Sequence, residues 1–143
     1  MNINNAPCPC HSGKKYKKCC RRYHEQGVIP ETPELLMRSR YAAYSLCMVD
    51  YIMATTSKDG SIYDPNTDAW RANIELFSKN TSFDGLEILD TKTEGDTGWV
   101  EFIATLIQRD QDASFKELSR FVRRDGRWYY ADAESNEDLG PAE

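Results

Sequence analysis

The sequence predicts an α+β domain carrying a small metal-binding head. Three observations carry that prediction. Apolar residues recur at helical spacing between residues 34 and 78, and after Phe83 the pattern changes to segments rich in β-branched and aromatic residues. Glu94-Gly95-Asp96-Thr97-Gly98, Asp110-Gln111-Asp112 and Asp125-Gly126 separate those segments as turns. Four of the five cysteines fall between Cys8 and Cys20. Helices first and a meander of strands after them is the order of an α+β fold.

A chain of 143 residues with 40% hydrophobic residues suits a single core. No apolar run approaches the ~20 residues of a membrane span, and MNINNAPCPC lacks the pattern of a signal peptide. The expectation is a cytoplasmic protein. The net charge of −5 is unevenly distributed. Residues 1–24 hold Lys14, Lys15, Lys17, Lys18, Arg21 and Arg22 and no acid, whereas the remainder holds 12 bases and all 23 acids. A basic head on an acidic body points to a negatively charged partner, such as RNA, anionic lipid or an acidic protein face. The simpler alternative is a solvated basic loop beside thiolates.

The head, residues 1–24, is too short to bury a core, so metal would organise it. Cys8-Pro9-Cys10 and Cys19-Cys20 flank a turn at Ser12-Gly13 and bring four sulfurs toward one point. An odd cysteine count in a chain without an export signal argues against a disulfide scaffold. Cys47 stands alone within a predicted helix and reads as a buried small hydrophobe.

Residues 25–33 form a polar linker with two prolines. Thr32-Pro33-Glu34 has the composition of a helix start, and the helix is predicted to run to about Cys47. Leu35, Ser39, Ala42 and Leu46 share one stripe, with Leu36, Ala43 and Cys47 beside it. A short helix near Asp50 to Thr56 and a third from Asp68 to Ser78 complete the helical half. Strands are predicted over 85–93, 98–109, 114–124 and 127–132. The α+β body spans 34–135, and 136–143 reads as an acidic tail.

Asp125-Gly126 is a two-residue hairpin signal, which sets a register. It pairs Phe121 with Tyr130 and Ser119 with Asp132. Alternation then places Glu117, Ser119, Phe121, Trp128, Tyr130 and Asp132 on one face. Aromatics mixed with acids and a hydroxyl have the composition of a ligand cavity. The simpler reading makes the aromatics core and the polar residues solvated strand ends. Tyr41 and Tyr44, three apart on a helix, are further cavity candidates. Arg38 and Arg40 point in different directions, and one is expected to reach an acid such as Glu117.

Cys8-Pro9-Cys10-His11-Ser12-Gly13-Lys14-Lys15-Tyr16-Lys17-Lys18-Cys19-Cys20 resembles the SEC-C motif, found at the C-terminus of SecA and in small bacterial proteins. The resemblance implies Zn²⁺ on Cys8, Cys10, Cys19 and Cys20, with Fe²⁺ a second thiolate-compatible metal. His11 and His24 are substitute ligands in principle and read as exposed polar residues. The motif in SecA is associated with docking to partner proteins and ribosomes, which makes Lys14, Lys15, Tyr16, Lys17, Lys18, Arg21 and Arg22 the candidate docking residues. Leu36 through Tyr44 and Glu117 through Tyr130 look like signatures of the YchJ family. That resemblance implies a nuclear-transport-factor-like cone, a curved antiparallel sheet packed on two or three helices around a cavity, with residues 57–82 at its rim.

Such cones serve as enzymes and as binding modules. Glu117, Asp132 and Tyr130 are the residues for an isomerase-type proton transfer. No histidine lies in the body, and no Ser-His-Asp or Cys-His pairing or glycine-rich phosphate loop is visible. The favoured expectation is an adaptor whose basic head docks to a protein or ribosome, with direct RNA contact as a variant. A small-molecule enzyme or ligand carrier using the cavity is the alternative.

Overall fold

The computed structural model describes residues 3–140. A 3-10 turn at Tyr16–Lys18 and a short helix α1 (Arg21–Glu25) form the head. Helices α2 (Pro33–Ser45), α3 (Val49–Ala54) and α4 (Thr67–Lys79) follow. Strands β1 (Thr81–Glu94), β2 (Thr97–Gln108), β3 (Gln111–Asp112), β4 (Phe115–Arg124) and β5 (Arg127–Asp138) build one antiparallel sheet in the order β1-β2-β4-β5, with β3 paired to β2.

Local chemistry sets the helix ends. The Thr32 hydroxyl accepts from the Leu35 amide at 3.1 Å, and Pro33 occupies the first turn of α2, where no amide hydrogen is needed. The Asn66 side chain caps α4 by accepting from the Ala69 amide at 3.1 Å. The expected extension of α2 to Cys47 is corrected. Cys47 has φ +56° and follows the cap Leu46, so its amide turns back to the Tyr44 carbonyl and the Met48 amide to Ala43. This paired closure ends the helix at a position that glycine would ordinarily fill. Cys47 is half-buried rather than interior.

Both central residues of the Asp125-Gly126 turn have positive φ, +51° and +80°, as a type I′ hairpin requires. The predicted register holds from Arg124↔Arg127 to Phe121↔Tyr130. It then shifts, so that Arg120 faces Asp132 and Ser119 faces Ala133, correcting the expected Ser119–Asp132 pair. Ala131 is the extra residue of this bulge, and a second shift follows between Leu118 and Ser119. Bulges bend and twist a strand, and β1 carries two more. The sheet therefore curls, and its concave side presents Val100, Phe102, Ala104 and Leu106 of β2 together with Phe121 of β4, all buried. The first part of the expected acidic tail, residues 136–138, belongs to strand β5, while residues 141–143 lie outside the described ones.

Helix α2 crosses the concave side and contributes to three apolar clusters. Leu36, Met37 and Tyr41 meet the sheet, Ala42 meets the head, and Ala43 meets α3 and α4. The segment after α3 covers the free edge of β5: the Tyr130 amide donates to the Thr55 carbonyl at 2.9 Å, and the Ser57 amide to the Tyr130 carbonyl at 2.8 Å.

At its N-terminus α2 lies directly on β2. A Cβ on Gly98 would stand 2.3 Å from Pro33 Cγ and 3.3 Å from the Trp128 ring. Gly98→Ala should therefore push α2 off the sheet and cost about 1–3 kcal/mol, the range for overpacking a rigid contact. Thermal melting of the purified variant measures it, and an unchanged midpoint would remove Gly98 as the contact that sets the spacing.

Candidate metal centre and cone cavity

The head is a knuckle closed by backbone bonds. The Cys8 amide donates to the Lys14 carbonyl at 2.8 Å, the His11 amide to the Cys8 carbonyl at 3.0 Å, and the Tyr16 amide to the Ala6 carbonyl at 3.0 Å. His11 and Gly13 take positive φ, +61° and +88°, to make the return. Cys19 closes the 3-10 turn and Cys20 caps α1, so the second sulfur pair arises from a helix start. The Ser12 hydroxyl lies 3.2 Å from Cys19 Sγ and accepts from the Lys14 amide, tying the turn to the sulfur cluster.

The four Sγ atoms of Cys8, Cys10, Cys19 and Cys20 all lie within 4.8 Å of one another. Tetrahedral zinc with bonds of ~2.3 Å places sulfurs ~3.8 Å apart. The Cys10–Cys19 and Cys19–Cys20 separations are 3.6 and 3.9 Å, so the donor set fits such an ion. All four residues are at most 7% exposed, so the site has no side open to a water ligand and is structural in type. Protonation tells the same story. Cys8 and Cys20 donate toward Cys10, which holds the Cys10 thiol far below its ordinary value and pushes Cys8 up to about 12. Cys20 is raised for the same reason, as the other donor to Cys10. A divalent ion is what would let all four sulfurs ionise.

The expectation for Tyr16 is corrected. Its ring is 1% exposed at the centre of the head, and its hydroxyl meets His24 Nδ1 at 2.8 Å, because a knuckle this small needs one large side chain as filling. His24 is likewise no exposed ligand substitute. Its Nε2 meets the Ser39 carbonyl at 2.8 Å, and burial holds its pKa below the usual value. His11 is exposed, with Nε2 3.1 Å from the Phe83 carbonyl. Arg22 stacks 5.0 Å over Tyr23 and donates to the Cys19 carbonyl. Arg21 pairs with Glu25. Lys14, Lys15, Lys17 and Lys18 remain exposed.

The head is mounted on α2 through these contacts. Arg38 completes the mount: its Nε donates to Glu34 at 3.1 Å and its Nη1 to the Cys10 carbonyl at 3.2 Å.

A cavity of about 450 Å³ opens between the concave sheet, α2 and α4. Among the expected residues, Tyr41, Tyr44, Glu117, Ser119, Phe121 and Tyr130 line it. Two are corrected. Trp128 lies away from the cavity, wedged in the core with its Nε1 donating to the Glu31 carbonyl at 3.3 Å. Asp132 is turned to the outer face by the bulge, where it takes both Nε and Nη2 of Arg120 at 3.1 and 2.7 Å. The walls are otherwise apolar, with Trp70, Ile74 and Phe77 supplied by α4.

At the polar end, Glu117 accepts from the Tyr130 hydroxyl at 3.1 Å and from Ser119 on one oxygen, and from Asn136 at 3.0 Å on the other. Burial, then the Glu117 charge, pushes the Tyr130 phenol above its ordinary pKa, so it stays a donor. Arg40 was not foreseen as a cavity residue. It is 6% exposed, lines the cavity, and rests its guanidinium 4.8 Å over the Tyr130 ring. It does not pair with Glu117. Its Nη1 is held by the Ile52 carbonyl and the Thr55 and Thr56 hydroxyls, at 3.1, 2.8 and 3.0 Å.

Comparison with known proteins follows this anatomy. The family model described as YchJ, middle NTF2-like domain, matches residues 32–133, and the SEC-C motif model matches residues 5–22. A UPF0225 protein of Deinococcus radiodurans is 42% identical over 128 residues, covering 89% of this chain and 88% of the relative. UPF0225 protein SG1365 of Sodalis glossinidius is 37% identical over 131 residues, covering 89% and 82%. The solution structure of RPA3114, a SEC-C motif containing protein from Rhodopseudomonas palustris, superposes with TM-score 0.75 at 35% identity, covering 90% of this chain and 97% of that one. A putative ketosteroid isomerase from Shewanella frigidimarina shares the fold at TM-score 0.55 and 13% identity, covering 68% and 89%. No helix among the described residues is long and apolar enough to cross a membrane.

Because the head is mounted on α2, losing one sulfur should loosen more than the head. Cys19→Ser should lower bound metal, measured by elemental analysis, and also lower the melting midpoint of the whole chain. Full metal retention would contradict the ligand set, and an unchanged midpoint would contradict the mount.

Proposed function

From the premise that this chain belongs to the YchJ family, uniting a SEC-C motif with an NTF2-like domain, we propose that it is a small-ligand-binding module whose metal-held head stabilises the cone. The observation that carries this reading is the cavity: about 450 Å³, apolar walls, and a polar end built from Arg40, Glu117, Ser119 and Tyr130. That volume and lining suit a drug-sized ligand. Binding rather than turnover follows from the polar end. Both Glu117 oxygens already accept hydrogen bonds, so a general base there would first have to give up a donor, which supports binding over turnover. Zn²⁺ is the ion we assign to the four sulfurs, with Fe²⁺ the competitor. A cytoplasmic setting would keep the thiols reduced.

A second reading rests on a separate observation. Lys14, Lys15, Lys17 and Lys18 are all exposed within one short segment of the head. They suit docking to an acidic or phosphate-rich partner, the ribosome or its RNA included, which would make the chain an adaptor.

The cavity reading is tested by thermal-shift screening of a chemically diverse library against the native chain and Ala104→Phe, since Ala104 lines the cavity. Ligands should raise the native midpoint by mass action and leave the filled variant unmoved. A library that shifts neither would contradict the reading. For the docking reading, the native chain should pellet with ribosomes and the fourfold Lys→Glu variant at 14, 15, 17 and 18 should not. Equal pelleting of both would dismiss the lysine turn as the contact.

A further inference from the structure

Arg40 is a buried cation with no acid to balance it. Among the described residues no carboxylate lies within ion-pair distance of its guanidinium. Its compensation is dipolar: one carbonyl and two hydroxyls, all on Nη1, and the face of Tyr130. Nε and Nη2 donate to no protein acceptor among the described residues, and neither belongs to the fully enclosed polar atoms lacking a partner. That edge of the guanidinium therefore keeps some accessible surface, on a residue that lines the cavity. A buried charge left half-compensated is costly, so its retention 6% exposed beside apolar walls calls for a counter-ion.

Glu117 lines the same cavity but does not supply it. Its oxygens face Ser119, Tyr130 and Asn136, and Tyr130 stands between the two charges with its ring under Arg40 and its hydroxyl on Glu117. The Glu117 charge is met by three donors, whereas the Arg40 edge has donors to spare. The fork formed by Nε and Nη2 matches a planar oxyanion with two oxygens, the bidentate geometry in which guanidinium exceeds ammonium.

Resting on the cavity reading above, we propose that the ligand is an amphipathic monocarboxylate. Its carboxylate meets the open edge of Arg40, and its apolar body lies along Phe102, Leu106 and Phe115 and under Trp70 and Phe77 of α4. Arg40 is then the specificity-determining residue, and Glu117 turns away ligands with a second negative charge at the same end.

The test uses N-phenyl-1-naphthylamine, a neutral fluorescent probe of apolar sites, on the full metal-loaded chain. Decanoate and decan-1-ol, which share one chain length, compete for it. Decanoate should displace the probe at a concentration roughly tenfold or more below decan-1-ol, the factor expected for hydrogen bonds to a buried charge. Arg40→Met should erase that advantage, each competitor being referred to the variant's own probe affinity, and Arg40→Lys should keep part of it. Equal competition by acid and alcohol on the native chain overturns the proposal, and that comparison needs no variant to fold. An advantage that survives Arg40→Met also overturns it. A probe that binds neither the native chain nor its variants, or that binds Ala104→Phe equally well, refutes the cavity reading itself and this inference with it.

Discussion

Helix α2 has no free side. Leu36, Met37 and Tyr41 are taken by the sheet, Ala43 by the other helices, and Ala42 with Ser39 by the head. An element packed on every side transmits any change in one neighbour to the others, since interiors are dense and poorly compressible. The sulfur cluster is the neighbour most dependent on something outside the chain. Four buried thiols can all ionise only around a cation, and the knuckle that they close has little apolar mass of its own. A metal ion bound by these four sulfurs would act as a fastener for α2, and α2 places Arg40 and Tyr41 at the cavity.

The same helix explains how charge is arranged. Arg38 and Arg40 leave α2 on different sides. Arg38 reaches the Cys10 carbonyl and Glu34, which serves the head. Arg40 reaches inward, where the end of α3 meets it with a carbonyl and two threonine hydroxyls. One short stretch of sequence therefore braces the cysteine knuckle and lines the cavity.

Much of this was legible in the sequence, for identifiable reasons. Cysteine spacing is short-range information, and so is the Asp125-Gly126 turn, which set the register correctly as far as Phe121↔Tyr130. Alternation fails beyond a bulge, because one extra residue moves every later side chain to the opposite face. Ala131 carries no turn signature, so Asp132 was placed in the cavity when it belongs outside with Arg120. Tyr16 misled for a different reason: flanking lysines made it look like surface, whereas a minimal metal knuckle needs an aromatic filling. Arg40 was the largest omission. Burial of a guanidinium depends on acceptors that the tertiary fold assembles from Ile52, Thr55 and Thr56, and periodicity carries no trace of them.

The central claim is that metal in the head holds α2 in place over the cavity. Hydrogen exchange of the backbone amides, with and without a strong chelator, tests it directly. The account predicts that chelation speeds exchange in residues 33–46 as well as in the head, while the central strand β2 keeps its protection. Exchange that changes only within residues 3–25, with α2 as protected as before, would contradict it.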